Sequence, residues 1–316
     1  MSLGDHVRTL GRGPGRSRSL TFAEAANAMT EMLSGKAAPE AIGALLMLLR
    51  MKGETAEEIA GLASAAQQGL PDFPVVDLDW PSYAAGRTRG APWFLLSARL
   101  VAEAGHRVLL HGWNGPDPKV RAGLATAGIA TASSIDELAS LLDRDRIAYI
   151  PLDVAHPRLL SLLRLREVLG LRSCINTVCR MLNPARAEAA VQGVFHPSYR
   201  LLQADAAQII GLRNLSVIKG AGGEFECNPA KPVSVLGIRD GQPYDEVHPP
   251  VLDETRRLSE SGAITLADVA AGQAAPDFET RVILGTATLA FQTLGVPEAE
   301  TLARTLWSDT RRHVAA

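Results

Sequence analysis

The strongest constraint on the fold is a change of rhythm. In roughly the last two thirds of the chain, short apolar runs alternate with longer amphipathic ones. Residues 107–111 (RVLLH), 147–150 (IAYI), 215–218 (LSVI) and 233–236 (VSVL) read as buried strands. Residues 93–105, 119–127, 134–143 and 202–210 carry apolar positions at helical spacing between them. Alternation of this kind predicts a mixed sheet flanked by helices, because each strand needs apolar cover that the intervening helices provide. Residues 157–190 show no strand pattern and read as helical, as do 277–294 and 297–313.

The N-terminal part has a different character. Thr21 followed by Glu24 is a capping box opening one helix, Pro39 opens a second that Gly53 stops, and Thr55 with Glu58 opens a third. The expected fold class is therefore α/β, with a small all-helical N-terminal domain and a large α/β domain. The helical domain is assigned to residues 20–70 with 160–190, and the large domain to 71–159 and 191–316. Residues 1–20 are expected to be a basic flexible tail, and 69–82 (GLPDFPVVDLDWPS) an aperiodic, proline-rich linker.

Composition narrows the function classes. Hydrophobic residues make up 47% of the 316, and the longest apolar runs, such as 41–49, are well short of a membrane span. The opening MSLGDHVRTL has no apolar segment after its charges, so no signal peptide is expected. Cys174, Cys179 and Cys227 fit no zinc or disulfide spacing, which points to reduced thiols and a cytoplasmic location. Net charge is −2, but it is segregated. Arg8, Arg12, Arg16 and Arg18 stand against Asp5 alone, and six arginines from 158 to 186 stand against Glu167 alone. A near-neutral protein with a basic face can still bind a polyanion, because the local field decides.

Three glycine-bearing loops lie between a strand or linker and a helix: 83–92, 111–118 and 219–226. Glycines let backbone N–H groups approach an anion, and the helix that follows adds a favourable dipole. Two of the three also carry lysine or arginine, so a phosphate-binding cleft is expected.

These loops sit in a wider pattern. Residues 41–60 (AIGALLMLLRMKGETAEEIA), 166–173 (REVLGLRS), Asn176, 182–185 (LNPA) and 194–199 (VFHPSY) resemble anthranilate phosphoribosyltransferase, a family-3 glycosyltransferase related in fold to the pyrimidine nucleoside phosphorylases. The resemblance covers nearly all of the chain beyond residue 20. It implies a transferase fold, a cleft for a phosphorylated ligand, and a magnesium ion held beside a pyrophosphate.

The departures bear on activity. The enzymes place a Gly-Thr-Gly-Gly-Asp loop where this chain has Gly86, Arg87 and Arg89 and no aspartate. Their Lys-His-Gly-Asn loop is reduced to His111 and Gly112, with Asn114 and Lys119 beyond. Their Asp-Glu metal pair falls in Glu224-Phe225-Glu226, with phenylalanine at the aspartate position. The pattern is closest to the family's nucleic-acid-binding, YbiB-type paralogue. That resemblance implies a homodimer formed through the helical domain, with DNA or RNA as partner and no anthranilate phosphoribosyltransferase activity. The phosphate- or nucleic-acid-binding residues it implies are Gly86, Arg87, Arg89, His111, Gly112, Asn114, Lys119, Arg166, Lys219 and Gly220. The alternative is an active phosphoribosyl- or glycosyltransferase that uses phosphoribosyl pyrophosphate with magnesium on Glu224 and Glu226. No catalytic residue is assigned.

Overall fold

The structure is a computed structural model, and it describes residues 2–83, 90–113, 118–254, 256–258, 264–274 and 276–315. Four helices open the chain: α1 (Leu3–Gly11), α2 (Phe22–Leu33), α3 (Pro39–Lys52) and α4 (Ala56–Gln68). Both capping boxes form: the Glu24 and Glu58 N–H groups donate to the Thr21 and Thr55 hydroxyls at 3.3 Å. Glu58 does more than cap. Its fully buried carboxylate accepts from the Leu20 N–H, the Thr55 N–H and Lys52 Nζ, each at 2.8 Å, and so locks the start of α2 to α4.

The expected flexible tail is corrected in its first half. Residues 3–11 form α1, because Leu3, Val7 and Leu10 share one face that packs onto the helical core. The Asp5 carboxylate accepts from the Ser2 N–H at 3.0 Å to start it, and His6 bonds Asn27 on α2 at 2.8 Å.

The large part is one seven-stranded sheet: β1 (Leu78–Ser82), β2 (Val108–Gly112), β3 (Ile147–Pro151), β4 (Ala189–Val194), β5 (Asn214–Lys219), β6 (Val233–Arg239) and β7 (Gln242–His248). Their order is β3-β2-β1-β4-β5-β6-β7. The first five are parallel, and β6 and β7 are antiparallel additions at one edge. The four expected strands are β2, β3, β5 and β6. β1 is a correction, since it lies inside the expected linker. Pro81 there lacks an N–H, yet Leu78 and Trp80 are fully buried and Leu78 pairs with Val108 and Ala189 on its two sides.

Helices α5 (Phe94–Glu103), α6 (Pro118–Thr126) and α7 (Ile135–Asp145) alternate with β1–β3. Short helices α8 (Leu152–Ala155), α9 (Pro157–Arg164), α10 (Arg166–Leu169) and α11 (Ile175–Arg180) then return to the helical part. α12 (Ser198–Ile210) links β4 to β5, and α13 (Leu266–Ala270), α14 (Asp277–Thr293) and α15 (Ala299–Ala315) finish the chain. One core lies between α5, α14, α15 and one sheet face, around Trp80, Phe94, Phe225 and Phe291. A second joins α1–α4, α9, α11 and α12 to the opposite face through Ala190, Leu215 and Val217, and a smaller third packs α7 on β2 and β3. The helical part and the sheet thus share a continuous core, which fixes the cleft between them. Among the described residues, no helix is long and apolar enough to cross a membrane. Cys174, Cys179 and Cys227 are free and buried.

Candidate functional site

The chain runs outward from β1 to β3, then returns to the far side of β1 to lay down β4. The C-terminal ends of β1 and β4 are therefore a topological switch point, where open α/β sheets leave a crevice for a ligand. Three glycines close the sheet ends tightly. A Cβ at Gly112 would come within 2.1 Å of the Ser82 carbonyl oxygen, one at Gly193 within 2.1 Å of the Glu224 carbonyl carbon, and one at Gly220 within 1.5 Å of the Glu224 oxygen. Gly112 and Gly220 thus serve backbone packing.

The segment after β5 folds back beneath this crevice. Glu224 is buried and accepts from Ser82 Oγ at 2.9 Å. Glu226 is buried and accepts from the Phe94 N–H at 3.0 Å, at the start of α5, where Trp93 provides no side-chain cap. Between them, Phe225 turns into the core and meets Trp80 edge-on at 5.6 Å, and Trp80 in turn stacks on Phe94 at 6.3 Å. Magnesium beside a pyrophosphate needs hard oxygen ligands facing the cleft. Here the two carboxylates serve protein donors on separate elements, and the side chain between them is an apolar plug. The Ser82 and Phe94 donors each engage one oxygen of these carboxyl groups, and the ring between them keeps the two groups apart. Among the described residues, no three His, Cys, Asp or Glu side chains cluster as a metal site.

His111, at the end of β2, also turns inward. It is fully buried, with Nδ1 2.9 Å from the Tyr83 hydroxyl and Nε2 3.1 Å from Asp79 Oδ1, the latter close without hydrogen-bond alignment. The Tyr83 carbonyl in turn accepts from Arg180 Nη2 at 3.3 Å and Asn176 Nδ2 at 3.4 Å, both on α11. Burial, then the nearby Cys179, raises the Tyr83 phenol well above its ordinary pKa, so it stays a neutral partner for His111. This chain of contacts ties the ends of β1 and β2 to the helical part. His156 is structural as well: Nδ1 accepts from the Leu159 N–H at 3.4 Å to cap α9, and burial lowers its pKa.

What does face the cleft is positive. A cavity of about 750 Å³ is lined by Phe195, His196, Arg200, Lys219, Gly220, Lys231 and Arg257, among others. A second, of about 320 Å³, shares Phe195 and His196 with it and adds Arg50, Arg172, Asn176, Arg180 and Tyr199. Neither has an aspartate or glutamate among its described lining residues. Several of the arginines spend hydrogen bonds on neutral acceptors. Arg50 Nη1 donates to the Arg172 carbonyl at 2.5 Å, Arg200 Nη1 to the Ser234 carbonyl at 2.9 Å, and Arg180 Nη1 to the Asn176 carbonyl and side-chain oxygens. Such bonds orient a guanidinium without cancelling its charge, although the Arg180 charge also meets the nearby buried Glu224. The Arg172 pKa is lowered by burial first, then by Arg166 and Arg50, a sign of crowded positive charge.

Of the expected site residues, Lys219 and Gly220 lie in this cleft. Arg166 lines neither cavity; it sits 5.6 Å from the ring of Trp113, which belongs to the core. Lys119 is in the first turn of α6 and also lines neither. Gly86, Arg87, Arg89 and Asn114 lie outside the described residues. Sequence reasoning did not select Phe195, His196, Arg200, Lys231 or Arg257. The 194–199 run was the available signal, standing between a buried segment and a helix.

Comparison with known proteins agrees with this architecture. Residues 5–68 match a family model described as the helical bundle domain of a glycosyl transferase family. The chain is 31% identical over 235 residues to anthranilate phosphoribosyltransferase of a Roseiflexus species, covering 72% of this chain and 67% of that protein. It is 29% identical over 239 residues to the enzyme of Polynucleobacter necessarius, covering 73% and 70%. In structure it resembles the Thermus thermophilus anthranilate phosphoribosyltransferase, with a TM-score of 0.81, 24% identity and 98% of each chain covered. It also resembles the Saccharomyces cerevisiae enzyme in complex with phosphoribosyl pyrophosphate and magnesium, with a TM-score of 0.75, 16% identity, and 99% and 96% covered. From shared sequence and shared fold together, the chain belongs to the anthranilate phosphoribosyltransferase family.

Proposed function

We propose that this chain is a nucleic-acid-binding member of the family, a homodimer without anthranilate phosphoribosyltransferase activity. The observation that carries the reading is the cleft at the switch point, with seven lysine and arginine side chains in two adjoining cavities and no described carboxylate lining them. A single metal-bound pyrophosphate is best held by a fixed nest of N–H groups with hard oxygen ligands beside it. A string of phosphates is better met by spread cations, each of which releases counterions from the strand. The two cavities adjoin through Phe195 and His196, so their cations can serve successive phosphates of one strand. Phe225 and Glu226 support the same reading, since they fill positions that a metal site would need open. For the dimer, Met51 and Val168 are exposed apolar side chains of the helical part, 81% and 82% accessible, that a second copy would cover.

Fluorescence anisotropy with a labelled oligonucleotide tests the proposal. If all seven cations met phosphates, the log–log dependence of affinity on salt would have a slope of about −5 for a single strand. Replacing Lys219 and Arg257 together with alanine should flatten that slope by about 1.4. No binding to any oligonucleotide at low salt overturns the proposal. Magnesium-dependent binding of phosphoribosyl pyrophosphate by calorimetry, lost in Glu226→Ala, would establish the transferase reading in its place.

A further inference from the structure

We propose that Phe195 is a stacking platform for an unpaired base, so that the cleft takes single-stranded nucleic acid in preference to duplex. The inference rests on the nucleic-acid reading and adds to it a selecting residue and a ligand form.

Phe195 is the only exposed phenylalanine of the seven in the chain, with 53% of its surface accessible. It stands between β4 and α12, at the carboxyl end of a switch-point strand. The strand end just before it is tied down, since the Val194 carbonyl accepts from the Gly220 N–H at 3.1 Å. The Phe195 ring stands perpendicular to His196 at 4.8 Å, so that contact engages at most one of its two faces. It is also the wall shared by the two cationic cavities, with Lys219 and Arg257 on one side and Arg172 and Arg180 on the other.

Exposure of one ring needs no ligand by itself; its position as the wall between two cationic cavities is what suits it to a ligand that carries a flat apolar surface on a chain of phosphates. An unpaired base is such a surface, attached to a chain of phosphates. Bases in a duplex are already stacked on their neighbours and cannot splay onto the ring, whereas those of a single strand can. Phosphate contacts are common to both forms; the ring contact belongs to the single strand alone.

The test compares four probes on the full-length protein: a single-stranded oligonucleotide, the same strand with its central bases replaced by stable abasic sites, the corresponding duplex, and inorganic polyphosphate. Wild type should bind the base-bearing strand about tenfold or more tighter than the abasic one. Phe195→Ala should weaken the base-bearing strand by about that factor, leave duplex and polyphosphate within about twofold, and leave the salt slope unchanged. Phe195→Trp should restore the discrimination. Equal binding of base-bearing and abasic strands by wild type overturns the inference while the nucleic-acid reading stands. So does a Phe195→Ala variant that loses all four probes alike, or one that changes oligomeric state, which would assign the ring to an interface between copies. Failure of wild type to bind any nucleic acid overturns both.

Discussion

By the sequence resemblance, Phe225 takes the position of the family's metal-binding aspartate, and placing an aspartate there is a demanding test of the proposed reading. The ring is fully buried, edge-on to Trp80 at 5.6 Å, and Trp80 stacks on Phe94. Phe225→Asp removes that packing, at about 3–5 kcal/mol for a buried phenylalanine reduced to a small side chain. It also places a carboxyl group in an apolar pocket, adding about 1–3 kcal/mol where no donor meets it. The expected loss is thus about 4–8 kcal/mol, comparable with the whole stability of an ordinary domain. Phe225→Leu keeps the pocket apolar and should cost only on the order of 1–2 kcal/mol. Urea unfolding followed by tryptophan fluorescence reads both variants, with Trp80 as a reporter in direct contact. A Phe225→Asp protein that keeps near-wild-type stability and gains magnesium affinity would refute the reasoning. It would mean that the segment swings out and the metal site is latent rather than replaced.

Two further predictions concern the helical part. Glu58→Ala should cost about 3–5 kcal/mol, because it strips a buried carboxylate from Lys52 Nζ and leaves the Leu20 and Thr55 N–H groups without their acceptor; a loss under about 1 kcal/mol in urea unfolding would remove Glu58 from its locking role. The exposed Arg18–Glu24 pair should act differently. The Arg18 guanidinium, then the Thr21 N–H, hold the Glu24 carboxyl at about 2, below its ordinary 4.5. Its stabilisation is therefore fully present above about 4.5 and lost as pH falls through about 2. The stability gap between wild type and Arg18→Ala, below about 1 kcal/mol at neutral pH, should close across that window and not above it.

The parts of the fold legible in the sequence are those whose signals are local. Thr21, Pro39 and Thr55 announce their helices because caps act within one turn, and strands such as β2 and β5 are short apolar runs between polar ends. β1 escaped because the prolines and acids of the 69–82 segment that contains it resemble a linker, and only its neighbours on both sides make it a central strand. α1 was hidden by the glycines and arginines that follow it. The same locality governs the site. Lys219 and Gly220 are readable as the residues that leave a strand. The inward turn of His111 is not, since its acidic neighbour Asp79 lies on the strand that the sequence concealed. Phe195, Lys231 and Arg257 come from separate segments and meet only in the folded cleft.

On the proposed reading, one contact accounts for a cleft that relies on side-chain cations. In sheets of this kind, the helix after the first strand usually offers its N-terminal N–H groups and dipole to a phosphate. Here that helix is α5, and the buried Glu226 carboxylate already accepts from its Phe94 N–H. That acceptor already takes the N–H a ligand's phosphate would use at this helix end. On the proposed reading, ligand phosphates meet Arg200, Lys219, Lys231 and Arg257 instead, which stand without a lining carboxylate. Lysine and arginine side chains there can follow successive phosphates, whereas a backbone nest fits one. On the proposed reading, the exchange of Asp-Glu for Phe225-Glu226 therefore does two things at once. It seals the metal position with a ring, and it turns the remaining carboxylate into a cap that moves anion binding from the helix end to the lysine–arginine wall.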